Sequence, residues 1–272
     1  MATKHDAPLP GAAFTEQIDV PAAAGVIDDD GPADPAAQAA FFDREGYLVL
    51  RGVLGRDELA SLDRDLTTLA RKHASTPGTG EGFDLEPNKD RGRATPGFRK
   101  IGGVSRNSDA FRGLLTHPRI ASILGAILGD EVYLFRDVVM MKPAKIGREK
   151  PWHQDAVYWP WRPMNLVSVM TALDDATPEN GCLQIIPGSH QETLQHHGDE
   201  LRVDLTTGHQ ARTRFAPLRA GDALVFHSLL LHASQPNRSD HDRRVCIFAY
   251  RPGNVTFLGE GDPPDAMRIT TE

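Results

Sequence analysis

The stretch Glu131-Val-Tyr-Leu-Phe-Arg-Asp-Val-Val-Met-Met141 marks a change of texture in the chain. It is rich in β-branched and aromatic residues and stops at Lys142-Pro143. Runs of the same kind recur at 165–173, 182–186, 223–226 and 245–250, separated by clusters of Pro, Gly, Asn and Asp. Many short strands punctuated by turn residues predict an antiparallel sandwich or barrel. Upstream the pattern is different. Asp34-Pro35 predicts a helix through Phe42, with Asp34 as N-cap and Pro35 in the first turn. A short strand is expected within 46–52, bounded by glycines. Leu59, Leu62, Leu66 and Leu69 at helical spacing predict a helix over 56–72, and two further helices are expected at 109–115 and 118–128, the second ended by Gly129. The reading is a mainly β (α+β) fold: one domain over 34–272, helices first, then the β core.

Residues 1–33, rich in Ala, Pro and Asp, lack periodic apolar positions and read as a flexible or loosely docked tail. Residues 76–97 are dense in Gly, Pro and charge and read as a long loop of the kind that serves as a lid. The composition excludes several classes. The chain has 272 residues, 40% hydrophobic and 25% charged, as in ordinary globular proteins. No run approaches the ~20 apolar residues of a membrane span. No cationic start followed by an apolar run opens the chain, so no signal peptide is expected. A net charge of −7 with scattered Lys and Arg speaks against a nucleic-acid surface. Cys182 and Cys246, outside any zinc-binding spacing, read as small buried residues in a reducing cytoplasm.

Trp152-His153-Gln154-Asp155 places His and Asp two apart. On a strand, residues i and i+2 share a face, so imidazole and carboxylate can share one metal. A second His from a distant strand would complete the set of two His and one carboxylate that marks non-haem Fe(II) oxygenases. His-x-Asp arises cheaply, and His197-Gly198-Asp199 is a second copy. In a jelly roll about four strands separate the pair from the lone His, on the order of 40 residues or more. His153 leaves that room before His232; His197 does not, and it sits in a polar segment. His227 and His232 both qualify for the last position by spacing alone.

Three stretches together resemble the phytanoyl-CoA dioxygenase family of Fe(II)/2-oxoglutarate oxygenases: Gly147 through Asp155, Ala172 through Leu183 with Ile186-Pro-Gly-Ser-His190, and His232-Ala-Ser234 followed by Arg243. The resemblance runs from about Phe41 to Tyr250. It implies a double-stranded β-helix (jelly-roll, cupin-like) core with the N-terminal helices packed on one face. It implies that His153, Asp155 and His232 bind iron, that Arg243 clamps the distal carboxylate of 2-oxoglutarate, and that Ser234 adds a hydroxyl. A planar guanidinium suits that pairing where Lys does not. Lys100 matches a lysine that reaches the co-substrate, Val138 a position whose backbone lies near it, and Met170 stands where the family often has Trp. Arg244 faces the other side of the strand and reads as a surface charge; Asn237 reads as a turn residue, His190 as a residue fixing a turn, and Asp174, Asp175 and Asn180 as capping a loop.

The implied reaction oxidises a small organic substrate with O2, releasing succinate and CO2 from 2-oxoglutarate. Related halogenases carry a small residue at the carboxylate position, so Asp155 points to hydroxylation, desaturation or ring closure. Trp152, Tyr158, Trp159 and Trp161 cluster near the motif and suggest a substrate wall; Arg162 is a candidate for an anionic substrate group. No basic cradle for the phosphates of coenzyme A is evident, which favours a natural-product or amino-acid-type substrate. The competing class is a non-catalytic jelly-roll binding module with a structural metal, for which Arg243 and Ser234 would have no use. A zinc hydrolase would need a general base that the sequence does not offer.

Overall fold

A computed structural model describes residues 25–26, 34–74, 82–86 and 97–270. Two sheets form the body. The larger has eight strands, in the order Tyr47–Leu50, Ala223–His227, Val167–Ala172, Arg243–Pro252, Val132–Lys142, Phe98–Gly102 and Phe83–Leu85, with Met267–Ile269 on the far end of the Val132–Lys142 strand. All its pairings are antiparallel. The smaller has five: Gly25–Val26, Arg214–Ala216, Leu183–Ile185, His232–Ser234 and Lys150–His153. They are layers of an open jelly roll, not a closed barrel.

The helices form where their caps and stripes predict. Asp34 accepts from the Ala37 amide at 2.9 Å and starts Pro35–Glu45. Arg56–Ala74 buries Leu62, Leu66 and Leu69, and Ser108 caps Asp109–Leu115 through the Phe111 amide. Pro118–Leu128 starts on its proline and ends at Gly129. The apolar faces of these helices share one core with Val139, Cys246 and Phe248 of the large sheet. Residues pointing the other way from those strands are left to line a cavity between the sheets.

One expectation gains detail and one needs correction. Within the region read as a flexible or loosely docked tail, Gly25–Val26 pair in parallel with Arg214–Phe215; the remainder of 1–33 lies outside the described residues. Within the region read as a lid loop, Phe83–Leu85 is a strand paired with Phe98–Gly102. Backbone pairing, to which local composition is blind, makes both. Most of the remaining lid residues also lie outside the description. Among the described residues no helix is long and apolar enough to cross a membrane.

Candidate functional site

His153 ends the Lys150–His153 strand and His232 begins His232–Ser234; the two are directly paired across the small sheet. Their rings lie 4.1 Å apart between centroids. Asp155 does not sit on the same strand, as the i, i+2 argument supposed. The strand stops at His153, and Asp155 opens a 3-10 turn, Asp155–Tyr158. The corner nonetheless brings the Asp155 Oδ1 to 3.5 Å from His153 Nε2 and 3.7 Å from His232 Nε2. One donor atom from each residue falls within 4.8 Å of the others.

Backbone carbonyls orient both rings. His153 Nδ1 donates to Pro151 O at 2.8 Å, and His232 Nδ1 donates to Leu230 O at 2.9 Å. With its proton on Nδ1, each neutral imidazole turns the Nε2 lone pair toward Asp155, the tautomer a metal needs. Burial, and then the neighbouring His153, push the His232 pKa down to about 4. Burial alone would raise the Asp155 carboxyl, but His232, His153 and Arg136 outweigh it and hold it well below the usual range. A neutral imidazole and an ionised carboxylate converging on one point fit a divalent cation.

Gln154, fully buried between His153 and Asp155, makes the corner. Its Nε2 donates to Glu192 O at 2.6 Å and Leu229 O at 2.7 Å, and its Oε1 accepts from Leu194 N at 3.0 Å. Its backbone amide donates to His196 Nε2, and His196 Nδ1 in turn donates to Leu194 O. The polar segment around His196 therefore braces the turn between His153 and Asp155. His197 pairs with Asp204 at 3.0 Å, away from the triad. His227 stacks near Phe42 and His190 and takes no part in it.

The triad opens on a cavity of about 720 Å³. Arg243 lies at one end, directly opposite Lys142 across the sheet. It is 6% exposed, its Nη2 donates to Gly181 O at 3.1 Å, and its Nε has no partner. Burial lowers its pKa only to about 10, so it stays cationic. A buried guanidinium short of acceptors fits a carboxylate ligand. Gly181 is required here: it sits at φ +82°, and a Cβ would meet Gln235 O at 2.4 Å and the Lys142 side chain at 2.9 Å. Ser234, Val138 and Met170 line the same cavity. Lys100 does too, with its ammonium 2.8 Å from Asp84.

Sequence reasoning missed Lys142. Its ammonium donates to Arg148 O, and burial followed by the Arg243 charge lowers its pKa. Glu86, 2% exposed, lines the same cavity; burial raises its pKa, and Arg148 Nε at 3.3 Å pairs with it without hydrogen-bond alignment. The signal was available: Arg136, Val138, Met140 and Lys142 share one face of a period-two strand.

Tyr158 and Trp159 line the cavity, but Trp152, Trp161 and Arg162 do not. Trp152 precedes His153 on the strand, so alternation turns it outward into a separate apolar cluster with Ile186, Val203 and Leu231. Trp161 packs with Leu166 and Val255. Arg162 folds back on the carbonyls of Trp161 and Trp159 at 2.7 and 3.4 Å. Arg244 is more than a surface charge: it makes a bidentate pair with Asp174 and a contact to Asp63. Asn237 bonds Lys142 O and His241 O, His190 bonds Asp43 O, and Asn180 caps Thr177 N. Both cysteines are buried free thiols; burial pushes Cys182 up to about 12.

The family model for phytanoyl-CoA dioxygenase (PhyH) matches residues 42–245. The ectoine dioxygenase of Sphingopyxis alaskensis is 33% identical over 279 residues, covering 89% of this chain and 87% of that protein. The structure of EctD from S. alaskensis with 2-oxoglutarate and 5-hydroxyectoine superposes with a TM-score of 0.71 at 25% identity, covering 90% of this chain and 93% of that one. The epimerase SnoN in complex with Fe3+, alpha ketoglutarate and nogalamycin RO gives a TM-score of 0.66 at 26% identity, covering 87% and 96%. The chain belongs to the phytanoyl-CoA dioxygenase family.

Proposed function

We propose that this chain hydroxylates a small organic substrate of natural-product or amino-acid type, with His153, Asp155 and His232 holding the metal. The chain is an Fe(II)- and 2-oxoglutarate-dependent dioxygenase, as its family and relatives support. The observation that carries the site assignment is the pairing of two features in one cavity: three converging metal ligands, and a buried guanidinium with an unpartnered Nε. A structural metal would leave Arg243 without a purpose.

Iron bound with 2-oxoglutarate and O2 supplies oxidising chemistry, with succinate and CO2 as the co-products. This chain's residues do the rest. Arg243 pairs with the distal carboxylate of 2-oxoglutarate, Ser234 offers a hydroxyl beside it, and Lys142 sets a buried amine next to Arg243. Val138 and Met170 form apolar walls that exclude water. Tyr158 and Trp159 bound the substrate side. The Asp155 carboxylate fills the third protein position, which supports hydroxylation over halogenation. Lys100 is assigned to the co-substrate more loosely, since Asp84 engages it.

Anaerobic titration of metal-free protein with Fe(II), then 2-oxoglutarate, tests this. A weak visible charge-transfer band on adding 2-oxoglutarate supports chelation at the triad, and succinate release then screens substrates. Iron bound without the band sinks the chelation assignment; failure to bind iron sinks the triad.

A further inference from the structure

The cavity has two ends, and 2-oxoglutarate accounts for one. Arg243 and Lys142 mark that end. Six residues back along the same strand, roughly 20 Å at 3.3 Å per residue, Arg136 enters the same cavity. The backbone positions of the two arginines are thus well separated along the cavity, and the Arg136 charge acts on Asp155 at the triad. Arg136 makes no hydrogen bond or ion pair with any described residue. Its guanidinium carbon lies 5.8 Å from the centroid of the Trp159 ring. Stacking engages one face of the guanidinium and leaves its N–H edge without a hydrogen-bond partner among the described residues.

The strand is built to aim it there. Opposite the Val132–Lys142 strand, Ala249 pairs with Arg136 and Tyr250 with Leu134, so Phe135 has no partner. That extra residue is a β-bulge, which re-aims side chains locally. Phe135 and Arg136, adjacent in sequence, both reach Trp159: the Phe135 ring is edge-on to it at 5.0 Å. Trp159 closes the 3-10 turn that begins with Asp155. The bulge and the metal-ligand turn thus fix the guanidinium beside the triad, on the side away from Arg243.

We propose that Arg136 anchors a carboxylate of the organic substrate, making that substrate an acid of amino-acid type held between Arg136 and the triad. This rests on the dioxygenase reading above, and deepens it by naming the charge the substrate must carry.

Acetate is the probe, with Mn(II) as paramagnetic stand-in for iron and 2-oxoglutarate at saturation. Bound near the metal, the acetate methyl protons should relax faster in NMR, whereas tetramethylammonium protons should not. A charge-assisted hydrogen bond is worth about 1.5–3 kcal/mol, so Arg136→Gln should cut the acetate effect about ten-fold or more. Arg136→Lys, which keeps charge without the fork, should give an intermediate value, and serves if the Gln variant folds poorly. Both variants should still saturate with Mn(II) and 2-oxoglutarate at the concentrations used, which a merely structural role would not predict. Equal relaxation in wild type and Arg136→Gln, or none in wild type with both ligands bound, overturns the anchor. If Mn(II) or 2-oxoglutarate fails to bind, the dioxygenase site assignment falls instead. Acetate-dependent tryptophan fluorescence of the metal-free protein then still decides: a change lost in Arg136→Gln supports the anchor, and no change in wild type overturns it.

Discussion

Gln154→Met separates what the metal corner owes to hydrogen bonding from what it owes to packing. Methionine nearly matches glutamine in shape, so no cavity opens, yet all three side-chain bonds vanish: those to Glu192 O, Leu229 O and Leu194 N. Gln154 is fully buried, so water does not replace the amide. A typical net hydrogen bond contributes about 1 kcal/mol, and each stranded buried group costs about 1–3 kcal/mol, so the loss should be about 3–5 kcal/mol. At roughly 2–4 °C per kcal/mol for a chain of this size, Tm should fall by at least about 6 °C. Urea unfolding of the metal-free protein reads this directly. A Co(II) absorbance titration reads the second effect: with the turn between His153 and Asp155 loosened, affinity should fall by about ten-fold. Gln154→Glu should do no less damage, since it turns both Nε2 donors into acceptors facing carbonyls. A stability loss under about 1 kcal/mol for Gln154→Met would refute the reasoning and show that the corner is held by its packing.

His153→Ala and Asp155→Ala should abolish succinate release while circular dichroism stays native. They should also lose the metal-dependent gain in stability, about 2.7 kcal/mol at a hundred-fold excess over Kd in wild type. Arg243→Ala should raise the 2-oxoglutarate requirement about 100-fold, the equivalent of roughly 3 kcal/mol for a charged hydrogen-bonded pair, with metal affinity preserved; unchanged 2-oxoglutarate dependence would remove the clamp. His227 should make the fold acid-sensitive. Burial, then His190, lower its pKa to about 4, against 6.5 in the unfolded chain. Between those values the unfolded chain binds the proton first, so stability is complete above about pH 6.5 and declines toward pH 4. His227→Gln should flatten that decline by about 2 kcal/mol between pH 7 and pH 5, measured as the difference from wild type in urea unfolding at the two pH values.

The long elements were legible because their signals are local. Asp34 and Ser108 cap helices through their own side chains, and Leu62, Leu66 and Leu69 make a stripe that needs a core. The strands Val132–Lys142 and Arg243–Pro252 were visible as apolar runs, though each reaches slightly beyond its run. The short strands Lys150–His153, Phe98–Gly102 and His232–Ser234 were not, because three to five residues become a strand through their partners. The same blindness explains the site. His153 and Asp155 were rightly read as neighbours, but by a same-strand argument where the chain instead turns a corner. Trp152 was read by proximity in sequence, which on a strand predicts the opposite face. Lys142 and Arg136 were overlooked among apolar neighbours, although they share Val138's face.

The two carbonyls that receive the histidine Nδ1 protons, Pro151 O and Leu230 O, belong to the main chain. Main-chain acceptors survive any side-chain replacement that leaves the backbone path intact. Mutation can therefore rewrite Tyr158, Trp159 or Arg136 without handing either imidazole a different proton. The metal end is insulated from drift at the substrate end, and such an arrangement lets a single iron scaffold acquire new substrates by small steps.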